Sequence, residues 1–195
     1  MPIGKNGKPN WLQRLFGAEP LQAPGPAADG SADDYTRPAT WEDVQTTVRL
    51  LNRARVRYVL VGGYALAANG YVRMTVDIDI AVAPDPENSA RWIAALAALP
   101  DGASKTLSGE SDPFEGDYLH AIRLNDEFTI DIMPSVAGIS FAELERHIAW
   151  LDLDDEAMPV LDLAGLLKTK QGLRPKDQAD ARILREALRR LEGNP

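Results

Sequence analysis

The chain has 195 residues, a formal net charge of −8 at pH 7, two histidines and no cysteine. This length allows one sizeable hydrophobic core. The absence of cysteine excludes disulfides and thiolate chemistry, two separated histidines argue against a zinc centre, and the acidic balance argues against nonspecific coating of nucleic acid. No apolar run reaches the length of a membrane span or of a signal peptide, so we expect a cytoplasmic protein without a membrane-spanning segment.

Residues 1–39 are predicted to form a disordered N-terminal tail or linker, because Pro, Gly, Ala and Asp dominate residues 19–38. Within it, Trp11, Leu12, Leu15 and Phe16 have the spacing of one amphipathic turn for a partner or a membrane, although stray apolar residues in a tail explain them equally well. The folded domain is expected over residues 40–192, with C-terminal helices from about residue 162.

The first predicted elements are a helix, a strand and a glycine turn. Thr40 and Asp43 predict a capping box that opens a helix over residues 41–53. Residues 58–61 read as a short buried strand that ends at Gly62 and Gly63, before a helix over residues 64–69. A strand–Gly-Gly–helix turn exposes backbone amides to which a phosphate can bind, but it can also be only a tight turn.

Two polar residues follow this turn. Arg73 and Thr75 offer a guanidinium and a hydroxyl close to the predicted phosphate site. Either residue can equally be a surface residue.

The most informative stretch is the strand that contains Asp77 and Asp79. Side chains two apart on a strand leave the same face, so these two carboxylates point together, whereas Ile78, Ile80 and Val82 face the opposite way. Two adjacent carboxylates in an apolar strand need a cation, and magnesium binds such pairs together with substrate phosphates. A calcium loop is excluded because its Gly and bidentate Glu are missing, whereas two solvated carboxylates on an exposed strand remain an alternative.

The rest of the chain predicts an α/β domain with a mixed sheet. A helix is expected between Pro86 and Pro100, then a hairpin, and then a capping box of Ser140 with Glu143. Residues 153–161 predict one or two short strands before Asp162 caps the next helix.

The last helix is predicted to have one basic and one apolar face. Arg182, Arg185 and Arg189 share the basic face, which by default is solvated. The residues expected on the buried face are Ile183, Leu184, Leu188 and Leu191.

The Gly-Gly turn, the short helix, Arg-x-Thr-x-Asp-x-Asp and a later strand aspartate together resemble the nucleotidyltransferase fold of the DNA polymerase β superfamily. The stretch LLKTKQGLRPKDQADARIL, residues 166–184, is similar to the Lys…Arg-x-Lys-Asp-x-x-Asp signature of small bacterial nucleotidyltransferase-like proteins. Some of these proteins are toxins of toxin–antitoxin pairs. The resemblance extends over roughly residues 41–191.

This resemblance implies an α/β (α+β) nucleotidyltransferase fold, with a mixed β-sheet flanked by helices and a C-terminal helical segment. It implies two Mg²⁺ ions, with Mn²⁺ as a possible substitute, held by three carboxylates. Asp77 and Asp79 match the metal-binding pair, and Asp131 in EFTIDIM is the candidate for the third carboxylate. By the same resemblance, Lys168, Lys170 and Arg174 are candidates to hold triphosphate or acceptor, or else to pair with Asp177 and Asp180.

The chain departs from the superfamily at the turn. Where the superfamily usually has Gly-Ser, this chain has Gly63 followed by Tyr64, so a phosphate-binding hydroxyl is missing. Gly-Gly occurs in the small toxin-like relatives.

Whether His120 can contact Asp131 depends on the hairpin register. If Asn125 and Asp126 form a two-residue loop, His120 lies directly opposite Asp131 and can orient that carboxylate or contact a phosphate. A longer loop turns His120 away.

The function expected from the resemblance is magnesium-dependent transfer of a nucleoside monophosphate from a nucleoside triphosphate such as ATP to an acceptor hydroxyl. The acceptor is left open among RNA, including tRNA, protein and small molecules. The alternatives are a catalytically silent nucleotide-binding protein and a toxin-like partner of a cognate antitoxin.

Overall fold

The computed structural model describes residues 36–109, 112–115, 120–154, 156–172, 174–191 and 193. Residues 1–35 of the predicted tail (1–39) lie outside them, as do residues 116–119 before the hairpin. Within the described residues the chain forms six α-helices and a mixed six-stranded sheet, which confirms the predicted α/β class.

The elements follow the chain in alternation up to the hairpin. The helices are α1 (Trp41–Arg53), α2 (Gly62–Ala68), α3 (Pro86–Leu96), α4 (Phe141–Leu144), α5 (Leu163–Thr169) and α6 (Pro175–Leu191). The main strands are β1 (Tyr58–Leu60), β2 (Asp77–Val82), β3 (Ile122–Asn125), β4 (Thr129–Met133), β7 (Ile148–Leu153) and β8 (Glu156–Leu161). A small separate hairpin is formed by β5 (Ser135–Val136) and β6 (Ile139–Ser140), and 3₁₀ turns span Ala103–Leu107 and Glu145–His147.

The order of strands in the sheet is β3-β4-β2-β1-β8-β7. β2 runs parallel to β4 and β1 runs parallel to β8, whereas the other neighbours are antiparallel. Strands β2 and β4 are therefore adjacent in the sheet although α3 and β3 separate them in the chain.

The alternation predicted for β2 is confirmed. Ile78 and Ile80 are almost completely buried, as are Ile130 and Ile132 of β4, and Phe128 precedes them in the same core. Because side chains alternate along a strand, this burial leaves Asp77, Asp79 and Asp131 on the other face of the sheet.

Two of the three predicted helix caps are present. The Thr40 hydroxyl accepts from the Asp43 N–H while the Asp43 carboxylate accepts from the Thr40 N–H, and Asp162 accepts from the Gly165 N–H at 2.6 Å. Ser140 lies at the N-cap position of the one-turn helix α4, as predicted, but its side chain makes no capping hydrogen bond, so the box with Glu143 is not formed.

The apolar face predicted for the last helix is only partly correct. Leu184 is buried, but Ile183 and Leu191 are exposed, and Ala181 and Ala187 take their place in the core. The three arginines Arg182, Arg185 and Arg189 are exposed, as the default interpretation of a solvated face expects.

Residues just before α1 contact the domain. Arg37 donates to both carboxylate oxygens of Asp43 at 2.6 and 2.8 Å, and its N–H donates to the Glu127 carbonyl. The Ala39 N–H donates to the Val76 carbonyl at 3.0 Å. The predicted boundary at residue 39 stays a prediction, but these contacts begin before it.

Among the described residues, none of the helices combines the length and hydropathy that crossing a bilayer requires.

Candidate functional site

Three carboxylates converge on the polar face of the sheet. In the parallel pairing of β2 with β4, Asp79 lies beside Asp131, and Asp77 lies beside Thr129. One carboxylate oxygen from each of Asp77, Asp79 and Asp131 lies within 4.8 Å of the other two, and all three side chains are half-buried. We call these three residues the acidic triad.

The carboxylates of the acidic triad repel one another. The pKa of Asp79 is raised to about 6, first by burial and then by the negative charges of Asp77 and Asp131. The backbone N–H of Gly63 and the ammonium of Lys170 offset part of this effect. The cluster therefore favours a cation that neutralises it.

The donor set fits a hard divalent ion. Mg²⁺ and Mn²⁺ bind carboxylate oxygens, and three such groups converging at a partly exposed position leave room for water or phosphate oxygens as further ligands. The predicted trio of aspartates is thus brought together, and its chemistry agrees with a metal site.

The glycine turn packs directly against the acidic triad. Gly62 has a φ of +63°, and a Cβ atom there would lie 1.9 Å from Asp79 Oδ2. A Cβ atom on Gly63 would lie 2.5 Å from the Thr75 hydroxyl oxygen. A side chain at either position would collide with Asp79 or Thr75, so both positions require glycine. The contact of their amides with phosphate stays a prediction.

Thr75 lies at the edge of the acidic triad. Its hydroxyl oxygen is 3.3 Å from both the carbonyl oxygen and Oδ1 of Asp77. A hydroxyl is thus present beside the turn although the residue after the glycines is not serine.

Tyr64, which follows the glycines, is directed into the core. Its hydroxyl donates to the Ala39 carbonyl, and its ring packs edge-on against Trp41 with 5.1 Å between ring centroids. Burial, together with the charges of Asp43 and Asp77, raises the pKa of Tyr64 to about 12. The Tyr64 hydroxyl therefore does not replace the missing serine.

The predicted basic residues divide into two groups. Lys170 Nζ lies 3.3 Å from Asp180 Oδ2 and 3.4 Å from Asp177 Oδ1, and Arg73 Nε lies 3.3 Å from Asp180 Oδ2. For Lys170, the structure therefore shows the alternative interpretation, in which it pairs with the acidic residues of the signature. Lys168 and Arg174 are exposed.

The register predicted for the hairpin is wrong. The loop between β3 and β4 has three residues, so Asn125 pairs with Thr129 and Arg123 pairs with Asp131. The longer loop is fixed by the buried side chain of Asp126, which accepts from the N–H groups of Asp101 and Ala103. His120 precedes β3 and is not the cross-strand neighbour of Asp131.

Arg123 is the site residue that the sequence analysis missed. Its Nε and Nη2 donate to the two carboxylate oxygens of Asp131 at 2.8 and 2.7 Å, and Nη2 lies 3.7 Å from Asp77 Oδ2. A three-residue loop in the register count would have identified it, because Arg123 then faces Asp131.

Solved structures share this fold. A Thermotoga maritima protein provisionally described as a nucleotidyltransferase aligns with 81% of this chain and 98% of its own, at 18% identity and a TM-score of 0.51. The lincosamide antibiotic adenylyltransferase LnuA, solved with lincomycin, aligns with 76% of this chain and 98% of its own, at 16% identity and a TM-score of 0.52. The antibiotic-resistance factor ANT(2'')-Ia aligns with 74% of this chain and 82% of its own, at 15% identity and a TM-score of 0.50.

These likenesses show that the chain has the nucleotidyltransferase fold, as the sequence resemblance implied. No protein-family model and no curated protein sequence matches the chain.

Proposed function

We propose that the protein is a divalent-metal-dependent nucleotidyltransferase that transfers a nucleoside monophosphate from a nucleoside triphosphate to an acceptor hydroxyl. The observation that carries the proposal is the acidic triad, three carboxylates from adjacent parallel strands with ligand oxygens within 4.8 Å of one another. Its position against a Gly-Gly turn, on a fold shared with nucleotidyltransferases, agrees with this chemistry.

In this proposal the three aspartates have distinct roles. Asp77 and Asp79 hold the metal, and Asp131 holds it from the neighbouring strand and accepts the proton of the acceptor hydroxyl. The chemistry that Mg²⁺, expected as two ions, would supply when bound there is stabilisation of the negative charge on the attacking and leaving oxygens. The acceptor oxygen forms a bond to the α-phosphorus, the bond from that phosphorus to the bridging oxygen breaks, and pyrophosphate leaves.

The triphosphate would lie over the glycine turn. Its phosphate oxygens would contact the amides of Gly62 and Gly63 and the hydroxyl of Thr75, because Gly62 packs against Asp79 and the Thr75 hydroxyl lies 3.3 Å from Asp77. We assign the exposed Lys168 and Arg174 to triphosphate or acceptor binding. Arg73 and Lys170 act mainly by shaping the site, because both are already paired with Asp180.

The acceptor is a hydroxyl group, and three kinds of molecule can provide it: an RNA such as tRNA, a protein, or a small molecule. LnuA and ANT(2'')-Ia are associated by name with antibiotics, so small hydroxyl compounds belong among the acceptors to test. A toxin-like role with a cognate antitoxin would be one biological use of the same transfer reaction.

The test is a transfer assay with purified protein, each of four α-³²P-labelled nucleoside triphosphates, Mg²⁺ or Mn²⁺, and total RNA, lysate protein or a panel of hydroxyl compounds. We expect label in one acceptor class, loss of label in Asp131→Asn, and full transfer in Asp152→Asn, an exposed strand aspartate outside the triad. Nucleotide binding without transfer to any acceptor would favour the silent binding protein. Absence of both metal and nucleotide binding would refute the proposal.

A further inference from the structure

Arg123 occupies the position between two carboxylates of the acidic triad. Its Nη2 atom lies 2.7 Å from Asp131 Oδ2 and 3.7 Å from Asp77 Oδ2, and its Nε atom completes a two-point fork on Asp131. The side chain of Arg123 is 58% exposed, whereas that of Asp131 is 14% exposed. The guanidinium therefore reaches from the solvent side into the cluster.

This contact engages the carboxylate that the metal needs. Both oxygens of Asp131 accept hydrogen bonds from Arg123, and the same guanidinium supplies positive charge to Asp77. A divalent ion that uses the oxygens of Asp77 and Asp131 therefore competes with this single positive charge.

We propose that Arg123 is the internal counter-cation of the metal-free site, and that it releases Asp131 when a divalent ion binds. This inference rests on the proposed metal site. After release, the guanidinium stands at the rim of the site, where it can pair with a phosphate of the nucleotide. Metal alone displaces Arg123 without giving it a new partner, whereas a metal–triphosphate complex supplies one, so the site favours the complex over the free ion.

A purely structural role gives a different expectation. Opposite charges on directly facing residues of an antiparallel pair stabilise that pair, and Arg123 and Asp131 have this relation. In that case the fork stays closed when metal binds, and removing Arg123 lowers stability without improving metal affinity.

The deciding experiment is calorimetric titration of Mn²⁺ into the parent, Arg123→Gln and Arg123→Lys. We expect Arg123→Gln to bind Mn²⁺ about threefold to tenfold more tightly, the size of a partly exposed charged contact. Arg123→Lys should bind with intermediate affinity, since it keeps the charge but loses the fork. The matched control is Arg189→Gln, which removes an arginine of similar exposure whose carboxylate partner, Glu186, lies on the same helix.

Each outcome of the titration has a defined meaning. Unchanged or weaker Mn²⁺ binding by Arg123→Gln, with a parent that binds Mn²⁺, overturns the inference and leaves the metal site intact. The same holds if Arg123→Lys binds no better than the parent, because long-range charge alone would then explain the gain. If neither the parent nor Arg123→Gln binds Mn²⁺, the proposed function itself fails.

A second measurement needs no variant. In a crystal structure of the unmutated protein with Mn²⁺ bound, we expect the distance from Arg123 Nη2 to Asp131 Oδ2 to open beyond hydrogen-bond range from its present 2.7 Å. A closed fork beside a bound ion would overturn the inference even if the variants do not fold.

Discussion

At the scale of single residues, Asp79 is the most constrained member of the site. The missing side chain of Gly62 makes room for its carboxylate, and the strand places it beside Asp131. Burial and two neighbouring negative charges then raise its pKa to about 6. The chain holds Asp79 in an arrangement that a bound cation stabilises.

The Asp79→Asn variant should be more stable than the parent at pH 7 without metal. The pKa of Asp79 in the folded state, about 6, is above its ordinary value of 3.8. Between these values the folded protein keeps a proton that the unfolded chain releases, so the parent loses stability as the pH rises through this window. Asparagine does not titrate, so the advantage of the variant should grow from pH 4 through pH 6 and level off near pH 7 at about 3 kcal/mol.

Urea unfolding in the presence of a chelator at pH 4, 5, 6 and 7 measures this difference. Asp152→Asn is the control, because that side chain is exposed on β7. An advantage that is independent of pH, or that is largest at pH 4, would contradict the expectation.

Gly63 and Thr75 should behave as a coupled pair. The backbone at Gly63 does not have a positive φ, so a serine there is opposed only by contact, with its Cβ atom 2.5 Å from the Thr75 side chain. Gly63→Ser should therefore cost about 1–3 kcal/mol, and Thr75→Gly in the same chain, which removes the Thr75 Cβ atom at 2.5 Å, should recover part of that loss. A double-mutant cycle of unfolding free energies tests this, and additivity within about 0.5 kcal/mol would show that the two positions are independent.

A site residue can be predicted from the sequence when its position depends only on neighbouring residues in the chain. The common face of Asp77 and Asp79 follows from strand alternation alone, and the structure confirms it. Arg123 could not be predicted, because the loop length that places it opposite Asp131 depends on Asp126 binding the distant backbone of Asp101 and Ala103.

At the scale of secondary-structure elements, one buried carboxylate on α6 joins that helix to the end of α5 and to the segment before β2. Asp180 on α6 is paired with Lys170 at the end of α5 and with Arg73 on the segment before β2. The sequence left open whether Lys170 binds substrate or pairs with acidic residues, and whether Arg73 contacts phosphate or is a surface residue. Only the packing of α6 against α5 shows which partners meet.

Asp180→Asn should destabilise the fold strongly. The side chain of Asp180 is 4% exposed, and its loss of charge leaves two partly buried cations with one fewer partner. We expect a loss of about 3–5 kcal/mol in unfolding free energy, the range for breaking a buried ion pair from one side. Glu186→Gln is the control on the same helix, because Glu186 pairs with the exposed Arg189 and Arg190 and should change stability by less than about 0.5 kcal/mol. Equal effects of the two substitutions would show that Asp180 does not hold the elements together.

At the scale of the whole molecule, the order of elements and the mixed sheet follow the sequence pattern closely. The helices α1 and α3 have clear caps, β2 alternates, and β1 is a short continuous apolar run. The start of the compact unit is less evident from sequence. Residues 36–39 have the composition of the preceding linker, yet Arg37 forks Asp43, and its guanidinium lies 5.4 Å from the centre of the Phe128 ring. The composition of a segment does not reveal such contacts, because a single arginine can make all of them without changing the composition noticeably.

Two shortened proteins, beginning at Thr36 and at Ala39, should therefore differ in stability. The protein that begins at Thr36 keeps every contact of Arg37, and we expect it to unfold cooperatively with a melting temperature close to that of the full chain, because residues 1–35 have linker composition. The protein that begins at Ala39 loses the fork on Asp43, whose side chain is 11% exposed, and should be less stable by about 1–2 kcal/mol. Arg37→Ala in the full chain should reproduce most of that loss, which separates the effect of the side chain from that of chain length. If the protein that begins at Thr36 already loses cooperative unfolding, residues 1–35 contribute to the fold. If both shortened proteins are as stable as the full chain, the contacts of Arg37 do not contribute to stability and the domain begins at α1.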